Sequence, residues 1–217
     1  LDMSHINIKR DKFYLGIDPG YRTGSWLVIT REKSRGRAFF VYDEIVVKDM
    51  TTEQIVQILQ RRGYGAHNIQ LIGIDADGRK QRSTSRVTDI DIIKRGLGVT
   101  PKHLGSHAKY NIDIRLREDY IEGLLDRDRI FINSKLIPRT RSELGIVNAL
   151  RSYSHEKVRN SEGEYKDQPS SETNRKWKHP IDALHYAMLW LDRSVYDRYL
   201  LHQTTDPDER RRMYGLR

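Results

Sequence analysis

Phe13-Tyr14-Leu15-Gly16-Ile17-Asp18-Pro19-Gly20 is the stretch on which the fold turns. A short apolar run ends in an aspartate, and Pro19-Gly20 then breaks the extended backbone. A strand of this kind is buried along its length and presents its carboxylate at its end. The pattern recurs at Leu71-Ile72-Gly73-Ile74-Asp75, which is followed by Ala76-Asp77-Gly78. A third aspartate, Asp182, lies just inside a helix expected to open after His179, with Pro180 at the favoured first position. Two carboxylates at strand ends and one at a helix start make an oxygen-donor set for a hard divalent cation such as Mg²⁺, which keeps several waters and needs few protein ligands. Sites of this kind act on phosphates.

Outward from these motifs the elements follow in order. Strands are expected at residues 13–18, 25–30 and 39–47, joined by short loops as in an antiparallel meander. Thr51-Thr52-Glu53-Gln54 reads as a capping box, and Ile55, Ile58 and Leu59 supply a helical apolar stripe up to Gly63. A buried strand follows at 69–75. Val87, Ile90 and Ile93 predict a helix stopped by Gly96, with a short strand around Val99. A helix at 112–125 and a strand at 129–132 come next, and Thr140-Arg141-Ser142-Glu143 predicts a capped helix through Leu150. Residues 153–167 read as a β-hairpin or long loop, and 168–178 as a mobile Ser/Pro/Asn-rich segment before the last helix. The fold class is therefore α/β: a mixed sheet of three antiparallel strands and then parallel ones, flanked by helices, with a hairpin insertion. Asp18 and Asp75 lie side by side if the fourth strand pairs with the first.

Composition sets the class of partner. The chain has 217 residues, 32% of them charged, and Lys plus Arg exceed Asp plus Glu to give a net charge of +9. That is enough chain for one well-buried domain, and a basic surface that suits a polyanion. Cysteine is absent, which removes disulfides and thiolate metal sites and fits a reducing compartment. No apolar run approaches the roughly 20 residues of a membrane span, and no signal-peptide pattern opens the chain. Leu1-Asp2-Met3-Ser4-His5 is set aside from the fold as a possible remnant, within an N-terminal extension of residues 1–11. A polar tail, 196–217, carries Glu209-Arg210-Arg211-Arg212.

Four segments resemble a known family. Gly16-Ile17-Asp18-Pro19-Gly20, an acidic fourth strand and a C-terminal helical aspartate are similar to the ribonuclease H-like nucleases, and within them to the nuclease domain of tailed-phage terminase large subunits. Ile72-Gly73-Ile74-Asp75-Ala76-Asp77 with Lys94-Arg95-Gly96 and Val99, then Ser142-Glu143-Leu144 and Tyr153, then His179-Pro180-Ile181-Asp182-Ala183-Leu184-His185-Tyr186-Ala187 carry the match. It covers residues 12–195. Two departures stand out: the second motif offers both Asp75 and Asp77, and His185 stands where the family's motif commonly has Arg. No Gly-x-x-x-x-Gly-Lys-Ser/Thr phosphate loop occurs, so the resemblance implies the nuclease part of a longer protein, residues 1–11 ending a linker from an ATPase domain.

What the resemblance implies is a DNA endonuclease that cuts concatemeric DNA with little sequence preference, by a two-metal mechanism with Mg²⁺ or Mn²⁺. Asp18 would bridge two ions, with Asp75 and Asp182 completing the shells and Asp77 backing up or replacing Asp75. His179, three residues before Asp182, reads either as a participant in ligation or proton transfer or as a helix-capping residue. Arg22, Arg79, Lys80, Arg82 and Arg86, with Lys157, Arg159 and Lys166 on the hairpin and Lys176 and Lys178 beyond it, are the candidate phosphate contacts; a solvated charged face is the plainer reading. Implied partners are double-stranded DNA, the terminase ATPase domain, the small terminase subunit and the portal, in the host cytoplasm, with the domain alone a monomer. Gly-Ile-Asp-Pro-Gly is also shared with Holliday-junction resolvases, and a silent basic DNA-binding or motor-docking module is the non-enzymatic alternative.

Overall fold

The computed structural model describes residues 1–20, 23–31, 38–74, 87–100, 114–159 and 165–191. A five-stranded sheet runs in the order β4-β1-β2-β3-β5, with β1 Phe13–Asp18, β2 Thr23–Arg31, β3 Phe39–Lys48, β4 Ile69–Ile74 and β5 Ile130–Ile132. The first three strands form the antiparallel meander, β4 adds parallel to β1, and β5 adds parallel to β3. Ile17 pairs with Ile74, so the sequence neighbours of that pair are Asp18 and Asp75.

Strand alternation sorts the residues onto two faces. Phe13, Leu15 and Ile17 face α1 (Thr52–Arg61) and α2 (Asp89–Leu97), sharing one core with Ile55, Leu59, Ile90 and Ile93. Tyr14, Gly16 and Asp18 therefore face the other way, towards α3 (Ile114–Leu125), α4 (Ile146–Ser152) and α5 (Lys178–Leu191). The expected capping box at Thr51 and Gln54 is present. Met3 and Ile6 are buried in the first core, so the N-terminal residues set aside above belong to the fold.

Several expectations are corrected. Gly96 does not stop α2. It lies inside the helix, where a Cβ would come within 2.2 Å of Val56, and its absence lets α1 and α2 close. The helix ends at Gly98, at φ 67°, a left-handed cap that favours glycine. Its start is a capping box of Thr88 and Asp91. Val99 is buried but forms no strand. The helix expected from Thr140 begins only at Ile146, after Gly145. Its first amide is taken by Glu44 of β3, whose two carboxylate oxygens both accept from Ile146 N–H at 3.0 Å. A carboxylate from a distant strand thus does the work assigned to the local Thr140–Glu143 pattern.

The hairpin is present as β6 (His155–Arg159) and β7 (Tyr165–Pro169). Beyond it the segment expected to be mobile is helical. Thr173–Trp177 forms a π-helical turn that runs straight into α5, with Thr173 and Trp177 buried. Pro180 is consequently not the first residue of its helix. Proline lacks an amide and clashes with the carbonyl four residues before it, and a widened turn just upstream relieves that conflict.

The close contact between β1 and α5 yields a prediction. A Cβ on Gly16 would lie 2.0 Å from the backbone oxygen of Ala183 and 2.8 Å from the Ala187 methyl, and backbone cannot move aside cheaply. Gly16→Ala should lose about 1–3 kcal/mol of stability in urea unfolding, and Gly16→Val more.

Candidate active site

The β1–α5 contact brings the C-terminal end of β1 against the first two turns of α5. Asp18 and Asp182 are each 8% exposed, and both are reached by side chains of the chain itself. The His179 ring Nδ1 lies 2.5 Å from Asp18 Oδ2, and its Nε2 lies 2.9 Å from the Thr23 hydroxyl at the start of β2. The imidazole is thus held at both nitrogens, between a carboxylate and a hydroxyl. Its hydrogen bond with Asp18 raises the His179 pKa above the ordinary histidine value, against burial that works to lower it, with the charges of Asp18 and Asp182 adding to the rise.

Asp182 sits among cations. Arg117 of α3 reaches its Oδ1 at 3.5 Å, Lys178 its Oδ2 at 3.9 Å, and His185 Nδ1 stands 3.9 Å from Oδ1. Burial alone would push this carboxyl up; His185 and the charges of Arg117 and Lys178 outweigh it and hold the pKa below the usual carboxylate value. The helix N-terminus, expected to favour the ionised form, is not the cause, because the π turn carries the helix past Asp182 on its N-terminal side. His185 is enclosed and kept neutral, its pKa lowered chiefly by burial.

Three of these residues carried no signal in the sequence. Arg117 lies in an ordinary amphipathic helix, and Thr23 follows a turn; only the fold brings them to α5. The guanidinium beside Asp182 comes from α3, while the position where the resembled motif carries Arg is occupied by His185. Glu44, on the same sheet face, accepts from Ser25 at 3.2 Å as well as from Ile146, and burial pushes its pKa up to about 7.

The remaining expected residues divide in two. Arg22, Asp75, Asp77, Arg79, Lys80, Arg82 and Arg86 lie outside the described residues, as do the side chains of Arg159 and Lys166. Lys157 is exposed on β6. Lys176 rests over the Trp177 ring at 4.4 Å, and Lys178 is turned onto Asp182. Among the described residues no group of three or more His, Asp or Glu side chains is disposed to hold a metal, and no helix is long and apolar enough to cross a membrane.

No protein-family model and no curated protein matches the sequence. Solved structures do. The chain superposes on the large-terminase nuclease domain of bacteriophage SPP1, solved with bound Mn, with a TM-score of 0.56 at 19% identity, over 87% of this chain and 91% of that one. The P22 large-terminase nuclease domain gives a TM-score of 0.54 at 13% identity, over 85% and 87% of the two chains. The chain has the ribonuclease H-like fold of large-terminase nuclease domains. In that frame β1, β4 and α5 are the three elements that carry the candidate aspartates.

The His179–Asp18 contact has a measurable pH signature. A histidine whose folded pKa is raised stabilises the fold below its unfolded value near 6.5, and that contribution is lost as pH rises through the folded value. An NMR titration should place His179 above about 6.5, and Asp18→Asn should bring it down. Stability should fall less between acid and neutral pH in the variant than in the parent chain.

Proposed function

We propose that this chain is a metal-dependent endodeoxyribonuclease, the nuclease part of a viral DNA-packaging terminase, with its catalytic body in residues 12–195. The reading rests on one observation above others. Asp18 and Asp182, over 160 positions apart in sequence, both contact side chains of one helix turn in a fold shared with terminase nuclease domains.

The donor set suits a divalent cation. Asp18 and Asp182 offer carboxylate oxygens, His179 a nitrogen, and Asp75 is the natural third carboxylate, next in sequence to the residue that pairs with Ile17. Asp77 is the alternative in that role. When bound, Mg²⁺ or Mn²⁺ there supplies positive charge against the phosphodiester and lowers the pKa of water; two ions roughly 4 Å apart can serve attacking and leaving oxygens together. The chain's own residues prepare the site. Arg117 and Lys178 keep Asp182 ionised, and Thr23 fixes the imidazole of His179 so that its other nitrogen faces Asp18. His179 can pass a proton at Nδ1 once Asp18 is engaged elsewhere. An imidazole nitrogen in the set favours Mn²⁺ over Mg²⁺.

DNA would be held by charge. A net charge of +9, with Lys157, Arg159 and Lys166 on the hairpin and Arg22, Arg79, Lys80 and Arg82 in loops, supports contacts to phosphates rather than base edges. The wider assembly is read from the same resemblance: an ATPase domain, a small terminase subunit and a portal, in the host cytoplasm, cutting concatemers with little sequence preference.

Supercoiled plasmid incubated with Mg²⁺ or Mn²⁺, against an EDTA control, tests this. Nicking should need the metal, run faster with Mn²⁺, vanish in Asp18→Asn and Asp182→Asn, and fall about 10- to 100-fold in His179→Ala, as expected for a group that orients a ligand. Cleavage in EDTA, or wild-type rates in both aspartate variants, would refute the assignment.

A further inference from the structure

A second feature lies beside the candidate active site and outside its chemistry. Helix α3 carries Glu118, Glu122 and Asp126 at four-residue intervals, so all three line one face. That face borders a cavity of about 430 Å³, walled by Leu125 of α3 and Ile181 of α5, with His185 among its lining residues. The volume is in the range of small-ligand sites. Glu118 is already engaged, accepting from the Tyr153 hydroxyl at 2.5 Å and pairing with His155 at 3.0 Å. Glu122 and Asp126 are exposed at the rim.

The second, independent observation is His185. It is 2% exposed, and among the described residues neither ring nitrogen has a hydrogen-bond partner. A neutral imidazole carries one acceptor and one donor, and leaving both unmet in a protein interior is costly. A buried polar ring with nothing to bond, lining a cavity with an acidic rim, points to a missing ligand.

The lining specifies that ligand's chemistry. Carboxylates at the rim call for a cation in a protein that is otherwise basic. Apolar side chains along the wall call for an aliphatic stem. The imidazole and the Glu118 carboxylate, deeper in, accept a hydrogen bond from a second cationic head. Glu118 and Glu122 are one helical turn apart, about 6 Å along the axis, a span that a four-carbon chain between two ammonium groups covers. We propose that this cavity binds a free linear aliphatic diamine or polyamine, one ammonium held by Glu122 and Asp126 and the other reaching Glu118 and His185. The site stands whether or not the chain cleaves DNA.

Calorimetric titration of the full chain with 1,4-diaminobutane, without DNA or metal, tests this. Saturable uptake of one equivalent is expected, with affinity about tenfold lower for each of Glu122→Gln and Asp126→Asn, and weaker binding of n-butylamine and 1,2-diaminoethane. Both substitutions are on the exposed rim, so thermal unfolding of the variants should match the parent chain. Undiminished binding in the double variant would mean that ammonium groups collect elsewhere, for example at Asp18 and Asp182, and would overturn the proposal. So would no saturable heat at all, or binding of a lysine-containing peptide in place of the diamine, which would assign the cavity to a protein partner.

Discussion

Everything at the candidate site depends on how closely α5 lies against β1. Gly16 presents no side chain to the helix, so the backbone oxygen of Ala183 occupies the space where a Cβ would stand. That contact fixes the height and rotation of α5. Ala183 and Ala187, both fully buried, continue the small-residue surface that permits it. With the helix seated there, His179 falls opposite Asp18, one strand position beyond Ile17. The far end of α5 is secured separately, where Arg31 of β2 donates to the carbonyl of Leu191.

Seating two carboxylates in such a place carries an electrostatic cost, since a buried charge is tolerated only when paired. The chain meets it with cations from three elements: His179 and Lys178 from α5 and Arg117 from α3. A divalent cation entering between the aspartates would compete with these partners, above all with the His179–Asp18 contact. Affinity for metal should therefore be modest until DNA or a partner domain shifts that balance, a property well matched to a nuclease that must not cut at random.

The sheet was legible in the sequence because its strands are short apolar runs bounded by turn residues, and because a carboxylate at the end of the first and fourth runs implied their pairing. The β1–β4 parallel contact bears this out. Helix limits were less legible. At Gly96 the missing side chain serves packing against Val56, while Gly98 two residues on serves as the cap, and a linear reading does not separate these uses of glycine. Residues 140–143 look like a cap locally, yet Glu44 from a strand takes the helix amide. Of the site, Asp18, Asp182 and His179 could be found from motif and spacing. Arg117, Thr23 and Glu44 could not, because their neighbours are set by tertiary packing and nothing in their local sequence differs from ordinary surface. The π turn before α5 likewise follows from accommodating Pro180 inside a longer helix.

The central claim is that β1 and α5 together hold a divalent-metal centre at Asp18 and Asp182. Anomalous diffraction from a crystal of this chain soaked in Mn²⁺ tests it most directly. The expected result is an anomalous peak in contact with carboxylate oxygens of both residues, with the Asp18–His179 contact lengthened or broken. A map with the ion elsewhere, and Asp18 still bonded to His179 at high Mn²⁺, would contradict it.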